Sequence, residues 1–179
     1  AQVTCDPGQL ADILRHTSTL HARVVGEFLG ADANNGLNRA VLRAFVTQFD
    51  FAGQPLLSAL RMFLESFRLP GEAQQIDRIL QAFAEEVAAK SRDAPLLATP
   101  DVAYLLSFSI IMLNTDLHNP NIRPEKKMTL EQFVQRNTDY GQEVSCGREL
   151  PAEFLEGIFH SIREEELFML ETGDGLTEM

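Results

Sequence analysis

Two stretches of the chain place polar side chains where packing alone does not ask for them. In Phe67-Arg68-Leu69-Pro70-Gly71-Glu72-Ala73-Gln74-Gln75-Ile76-Asp77-Arg78, a Pro-Gly pair separates two amphipathic stretches and Glu72 follows at once. An acid at a helix start gains about 0.3–1 kcal/mol from the positive helix end, which is one sufficient reason for a glutamate there. The chemical alternative is that a tight turn lifts one carboxylate off the surface on a rigid stem. In Ser109-Ile110-Ile111-Met112-Leu113-Asn114-Thr115-Asp116-Leu117-His118-Asn119-Pro120-Asn121-Ile122, an apolar run enters a polar turn marked by Asn119-Pro120. Asp116 and His118 suggest a metal site or an acid–base pair. Two ligands are fewer than the three or four that zinc takes, however, and no Ser or Cys stands in a recognisable nucleophile motif. Helix capping and closure of the turn are the other use for these side chains.

The elements that must position these residues read as helices throughout. Leu56, Leu60, Phe63, Leu64 and Phe67 form one apolar stripe, and Ile76, Ile79, Leu80, Phe83 and Val87 form another. Thr99 reads as an N-cap with Pro100 as the first helical residue. The run from Val102 to Leu113 is apolar nearly all round, so it is expected at the centre of the fold, enclosed by other helices. Thr129 and Gln132 have the spacing of a capping box, with Met128 and Phe133 as the hydrophobic staple. A further helix starts near Pro151, and earlier ones are expected over 9–15, 21–29 and 38–49. Residues 138–148, with Gly141 and Gly147, read as a loop. The expected organisation is one helical domain over 1–168 and an acidic, frayed tail over 169–179.

Composition narrows the function class. The 179 residues carry a net charge of −11, with 45% hydrophobic and 23% charged residues. That size supports a core without disulfides or metal. No basic stripe suited to nucleic acid is present. Direct attraction to an anionic membrane is not expected from this segment, and no apolar run approaches the ~20 residues that span a bilayer. An acidic surface suits a basic protein partner as well as simple solubility. Cys5 and Cys146 have no ligand spacing and read as unpaired thiols of a reducing compartment. Neither end carries a start Met or a targeting motif, so a piece of a longer protein is expected.

Together the two stretches resemble the paired signatures of the Sec-seven domain family, exchange factors for Arf GTPases. The first is Phe67 through Arg78. The second is Ile111 through Asn121, followed by Lys127-Met128-Thr129 and Phe133. Val25-Gly26-Glu27-Phe28-Leu29-Gly30 and Ser58-Ala59-Leu60-Arg61-Met62-Phe63-Leu64 also match. The likeness runs from about Pro7 to Glu166 and is strongest to the large Golgi exchange factors of the BIG and GBF type. It departs in two places. The family's first helix, with its Lys-Pro-Lys and Gly-Ile pattern, is not recognisable before Val3. The chain reads Asn137-Thr138-Asp139-Tyr140 where an Asn-Arg-Gly-Ile continuation is usual.

The resemblance implies an all-α right-handed superhelix with a hydrophobic groove. It implies that Glu72 is a glutamic finger and that Asp101, Phe108, Met112 and Asn119 contact the GTPase in the groove. It implies a pocket for the inhibitor brefeldin A at Phe108, Ser109, Asp116 and Met128, where sensitive members carry Tyr rather than Phe at the first of these. The implied activity is GDP release from an Arf-family GTPase without covalent chemistry. No cofactor is implied for the chain itself, because Mg²⁺ and nucleotide belong to the partner. A weakly active module that only grips the GTPase is the alternative, and retention of Glu72 with Pro70 and Gly71 favours activity. The implied location is cytoplasmic and peripheral at Golgi membranes, with recruitment by flanking regions of the parent protein.

Overall fold

Short polar side chains and prolines open several of the helices. In the computed structural model, which describes residues 6–32 and 36–168, Asp6 accepts a bond from the Gln9 N–H at 3.1 Å and opens α1 (Pro7–His16). The remaining helices are α2 (Ala22–Gly30), α3 (Leu37–Val46), α4 (Leu56–Leu64), α5 (Ala73–Lys90), α6 (Ala94–Leu97), α7 (Pro100–His118), α8 (Leu130–Asn137), α9 (Gln142–Ser145) and α10 (Ala152–Glu164). Thr99 caps α7 by accepting from the Val102 N–H at 3.2 Å. The Thr129–Gln132 capping box forms with both of its bonds. Every regular element among the described residues is helical, so the chain is all-α. The tail over 169–179, Cys5 and the start of the chain lie outside the described residues.

Several boundaries differ from the periodicity. The third helix ends at Val46 rather than Phe49, and the fourth ends at Leu64 rather than Phe67. Phe49 and Phe67 are buried nonetheless, because the turns that follow these helices carry them into the core. Phe45, Phe49, Phe51, Phe63, Phe67 and Phe83 form one ring cluster with centroids 5.0–6.5 Å apart. Each such pair contributes about 0.5–1.5 kcal/mol beyond area burial, so the cluster ties α3, α4 and α5 into one body. The stretch 138–148 is not all loop, since it contains α9. Gly141 opens that single turn, and Cys146 (φ 53°) and Gly147 (φ 73°) close it in the left-handed region. One turn is too short to show a helical period.

α5 and α7 form the most extensive helix pair, and α7 also touches α4, α6, α8, α9 and α10. The chain after α10 is fastened back on this centre. Arg61 donates from Nη1 to the Glu166 carbonyl at 3.0 Å and from Nη2 to the Glu165 carbonyl at 2.7 Å. The buried Asn114 of α7 accepts the Leu167 N–H at 2.7 Å. Leu167 is buried as a result. No helix among the described residues is long and apolar enough to cross a membrane.

Candidate functional site

The loop that carries Glu72 is held from below by backbone contacts. Phe67 and Pro70 are buried, and Phe67 packs edge-on against Phe63 at 5.0 Å and Phe45 at 6.0 Å. The Arg68 N–H donates to the Ala22 carbonyl at 3.1 Å. A Cβ on Gly26 would stand 1.7 Å from the Arg68 carbonyl oxygen, and one on Gly30 would stand 2.7 Å from Gln75 Cβ. These two glycines, one turn apart on α2, therefore let the loop and the start of α5 lie against the helix backbone. Arg78 donates from Nε to the Gly30 carbonyl at 2.7 Å and fastens the first turns of α5 to the end of α2. The motif Val25 to Gly30 was visible in the sequence; what its glycines face was not.

Glu72 is exposed and occupies the N-cap position of α5. Its carboxylate makes no capping bond to the helix; it accepts a side-chain bond from Gln75 Nε2 at 2.9 Å. The carboxylate is thus not consumed by local structure. Gly71 beside it has open space where a Cβ would stand and no left-handed φ, so the fold of this chain does not itself require a glycine there.

The second part of the site is one face of α7. At 100° per residue, Asp101, Phe108, Met112 and Asn119 fall within an arc of about 40°. Val102, Ala103, Leu106, Ser107, Ile110, Leu113 and Asn114 are buried on the opposite side. Phe108 is 43% exposed and Met112 51% exposed. The expectation of a helix enclosed on every side is therefore corrected: α7 keeps an apolar face open, because its neighbours cover only the opposite half. Asp101 is exposed and Asn119 half-buried, with Asn119 Oδ1 accepting the Asn121 N–H at 2.9 Å and shaping the turn.

Both edges of the open face are tied to neighbouring elements. On one edge Tyr104 donates its hydroxyl to Asp77 of α5. Burial, followed by the bond to Asp77 and its charge, pushes the Tyr104 pKa up to about 12. That bond joins the helix bearing Glu72 to the helix bearing Phe108 and Met112, and the sequence had not singled out Tyr104. On the other edge Asp116 accepts the Met128 N–H at 2.6 Å and Lys127 reaches the Leu117 carbonyl. Ser109, Asp116 and Met128 are half-buried along this edge. Met128 packs against the core at the entry to α8. The four residues expected to line an inhibitor pocket thus include a polar edge anchored by Asp116 beside the exposed Phe108.

Asp116 and His118 do not converge. His118 Nε2 is bonded to the Ile162 carbonyl at 2.7 Å, while Asp116 serves Met128. Among the described residues no three His, Cys, Asp or Glu side chains are grouped as metal ligands. Cys146 is an exposed free thiol.

Comparison with known proteins gives this arrangement a setting. A family model described as the Sec7 domain matches residues 1–167. The chain is 43% identical over 166 residues to the brefeldin A-inhibited guanine nucleotide-exchange protein 1 of Bos taurus, covering 93% of this chain and 8% of the relative. Among solved structures it is similar to the Sec7p catalytic domain, with 42% identity and a TM-score of 0.78 over 89% of this chain and 79% of that one. It is also similar to a Sec7 domain solved with ARF1-GDP and brefeldin A, with 32% identity and a TM-score of 0.77 over 92% of this chain and 78% of that one.

Proposed function

The chain belongs to the Sec7 domain family, and from that premise we propose that it accelerates GDP release from an Arf-family GTPase, with Glu72 as a glutamic finger and the open face of α7 as the grip. The observation that carries this reading is an exposed carboxylate at the start of α5, bonded to Gln75 but making no capping bond, beside an apolar stripe on α7, the two helices being packed together.

GDP is held on a small GTPase by Mg²⁺, a phosphate-cradling loop and the lysine of that loop. A carboxylate pushed into that site repels the β-phosphate, competes with it for Mg²⁺ and gives the lysine another partner. Two like charges at 4 Å repel by about 4 kcal/mol at an effective dielectric near 20. Each ~1.4 kcal/mol off a barrier is tenfold in rate, so one charge accounts for about three orders of magnitude. Phe108 and Met112 supply the apolar surface against which mobile switch segments of the GTPase fold, with Asp101 and Asn119 at its two ends. Gly71 keeps the tip narrow where the partner's phosphate loop must approach.

No bond is made or broken, so the chain needs no cofactor of its own, and the nucleotide in excess sets the direction. A solved relative was captured with ARF1-GDP and brefeldin A, which supports an inhibitor pocket at Phe108, Ser109, Asp116 and Met128. The chain spans 8% of the length of the exchange protein it matches, and in this reading recruitment from the cytoplasm to Golgi membranes falls to flanking regions of a parent protein. Measuring fluorescent GDP release from a panel of Arf-family GTPases tests the reading. Acceleration by this chain is expected. Binding without acceleration would instead make it a module that only grips the GTPase.

A further inference from the structure

On the side of α5 that packs against α3 lies a cleft of about 230 Å³. Its lining includes Leu29, Leu42, Arg39, Arg43, Arg78 and Glu85. Leu29 and Leu42 are buried and close the bottom. The chain as a whole has 15 Lys and Arg against 26 Asp and Glu, yet three of its arginines meet here.

The three are held differently. Arg78 is half-buried, and its Nε is fixed on the Gly30 carbonyl at 2.7 Å. The terminal nitrogens of that guanidinium make no other bond among the described residues. Arg39 faces Asp32 at 3.5 Å in a pair more than half exposed, which holds it weakly. Arg43 follows Arg39 by four residues on α3 and its guanidinium has no ion pair or hydrogen bond among the described residues. Like charges at that spacing cost a helix about 0.2–0.5 kcal/mol, against which the fold sets the exposed Arg39–Asp32 pair. One arginine oriented by the backbone, with two more at the rim, presents several N–H donors to a tetrahedral anion. Counting Glu85 and Asp32, the cleft retains one net positive charge in a chain at −11.

We propose that the cleft between α3 and α5 binds a phosphomonoester, with Arg43 and Arg78 on the phosphate oxygens and Leu29 and Leu42 beneath the ester carbon. The phosphate could be carried by a soluble ester or by a lipid headgroup, and the chemistry of recognition is shared. Glu85 at the rim sets a limit on affinity by repelling the anion.

Titration calorimetry with glycerol phosphate, and flotation with phosphatidylcholine vesicles with and without a phosphatidylinositol monophosphate, test this on the folded chain. Saturable binding is expected in at least one arm. Binding to the soluble ester assigns a free ligand, and binding to the phosphorylated vesicles alone assigns the headgroup. Arg43→Glu, at an exposed position, is expected to weaken that binding about tenfold or more by removing a charge-assisted bond and reversing the charge. Its melting temperature should not move. Glu85→Gln is expected to strengthen binding, which a diffuse charge effect would reproduce equally at Glu164→Gln. No saturable binding in either arm would overturn the proposal. So would unchanged affinity in Arg43→Glu, or equal gains in the two glutamine variants.

Discussion

The loop bearing Glu72 and the open face of α7 carry the side chains proposed to meet the GTPase, but different physics holds each. The loop is anchored in the core by Phe67, Pro70 and the partly buried Leu69. It keeps its shape because α2 lacks side chains at Gly26 and Gly30 and accepts the chain at backbone distance. The face of α7 needs no such device. Its opposite half is buried in the centre of the molecule, so Phe108 and Met112 stand on a rigid rod. A charged tip whose position depends on close approach is sensitive to one added methyl. An apolar stripe on a buried helix is sensitive only to what the stripe itself loses.

The comparison breaks first at the tip. Glu72→Lys should lower GDP release by about three orders of magnitude, from the charge repulsion it removes. Helical content and melting temperature should hold, since the side chain is exposed and bonds only Gln75 among the described residues. A nucleotide-release assay beside a thermal melt checks both, and normal exchange by the lysine variant would remove the charge from the mechanism.

Gly26→Ala attacks the support instead. The new Cβ would collide with the Arg68 carbonyl, and overpacking of this kind costs about 1–3 kcal/mol. Exchange and stability should fall together. Gly71→Ala should lower exchange with a stability change within about 0.5 kcal/mol, because its Cβ meets open space. If the two alanines behave alike, the loop does not rest on α2 in the way described.

Met112→Ala sharpens the other side. A core methionine would cost about 2–5 kcal/mol on truncation. At 51% exposure the expected loss is within about 0.5 kcal/mol, with exchange reduced about tenfold through weaker docking. A large drop in melting temperature would return Met112 to the core.

The smallest effect concerns the inhibitor edge. Phe108→Tyr supplies one more hydroxyl, worth about 0.5–1.5 kcal/mol if it bonds the drug. Sensitivity of GDP release to brefeldin A should rise about threefold to tenfold. Equal inhibition of both proteins would show that the hydroxyl does not matter here, and resistance of both would show that the pocket lies elsewhere.

Much of the site was legible because its signals are local. The Pro-Gly break before Glu72, the Thr99 cap and the Thr129–Gln132 box each depend on residues within one turn, and each forms as its spacing suggests. The spacing of Asp101, Phe108, Met112 and Asn119 likewise puts them on one face by helix geometry alone. Periodicity did not mark which face would be open; only the resemblance pointed to it. A helix apolar on nearly all sides has little internal asymmetry from which to read it, and the packing of its neighbours decides that Phe108 and Met112 are left uncovered.

The sequence by itself determined the all-helical class, the main helices to within a few residues, and the family membership from which the roles proposed for Glu72, Phe108 and Met112 are drawn. These follow from periodicity, caps and motif, which are properties of neighbours along the chain. Tertiary structure alone decided that Gly26 and Gly30 seat the loop, that Tyr104 joins α7 to Asp77, and that Asp116 holds Met128 rather than pairing with His118. It also decided that Arg39 and Arg43 meet Arg78 across a cleft. Each of these brings together residues remote in sequence or on different elements. Their partners are chosen by how whole helices pack, and no local preference along the chain encodes that choice.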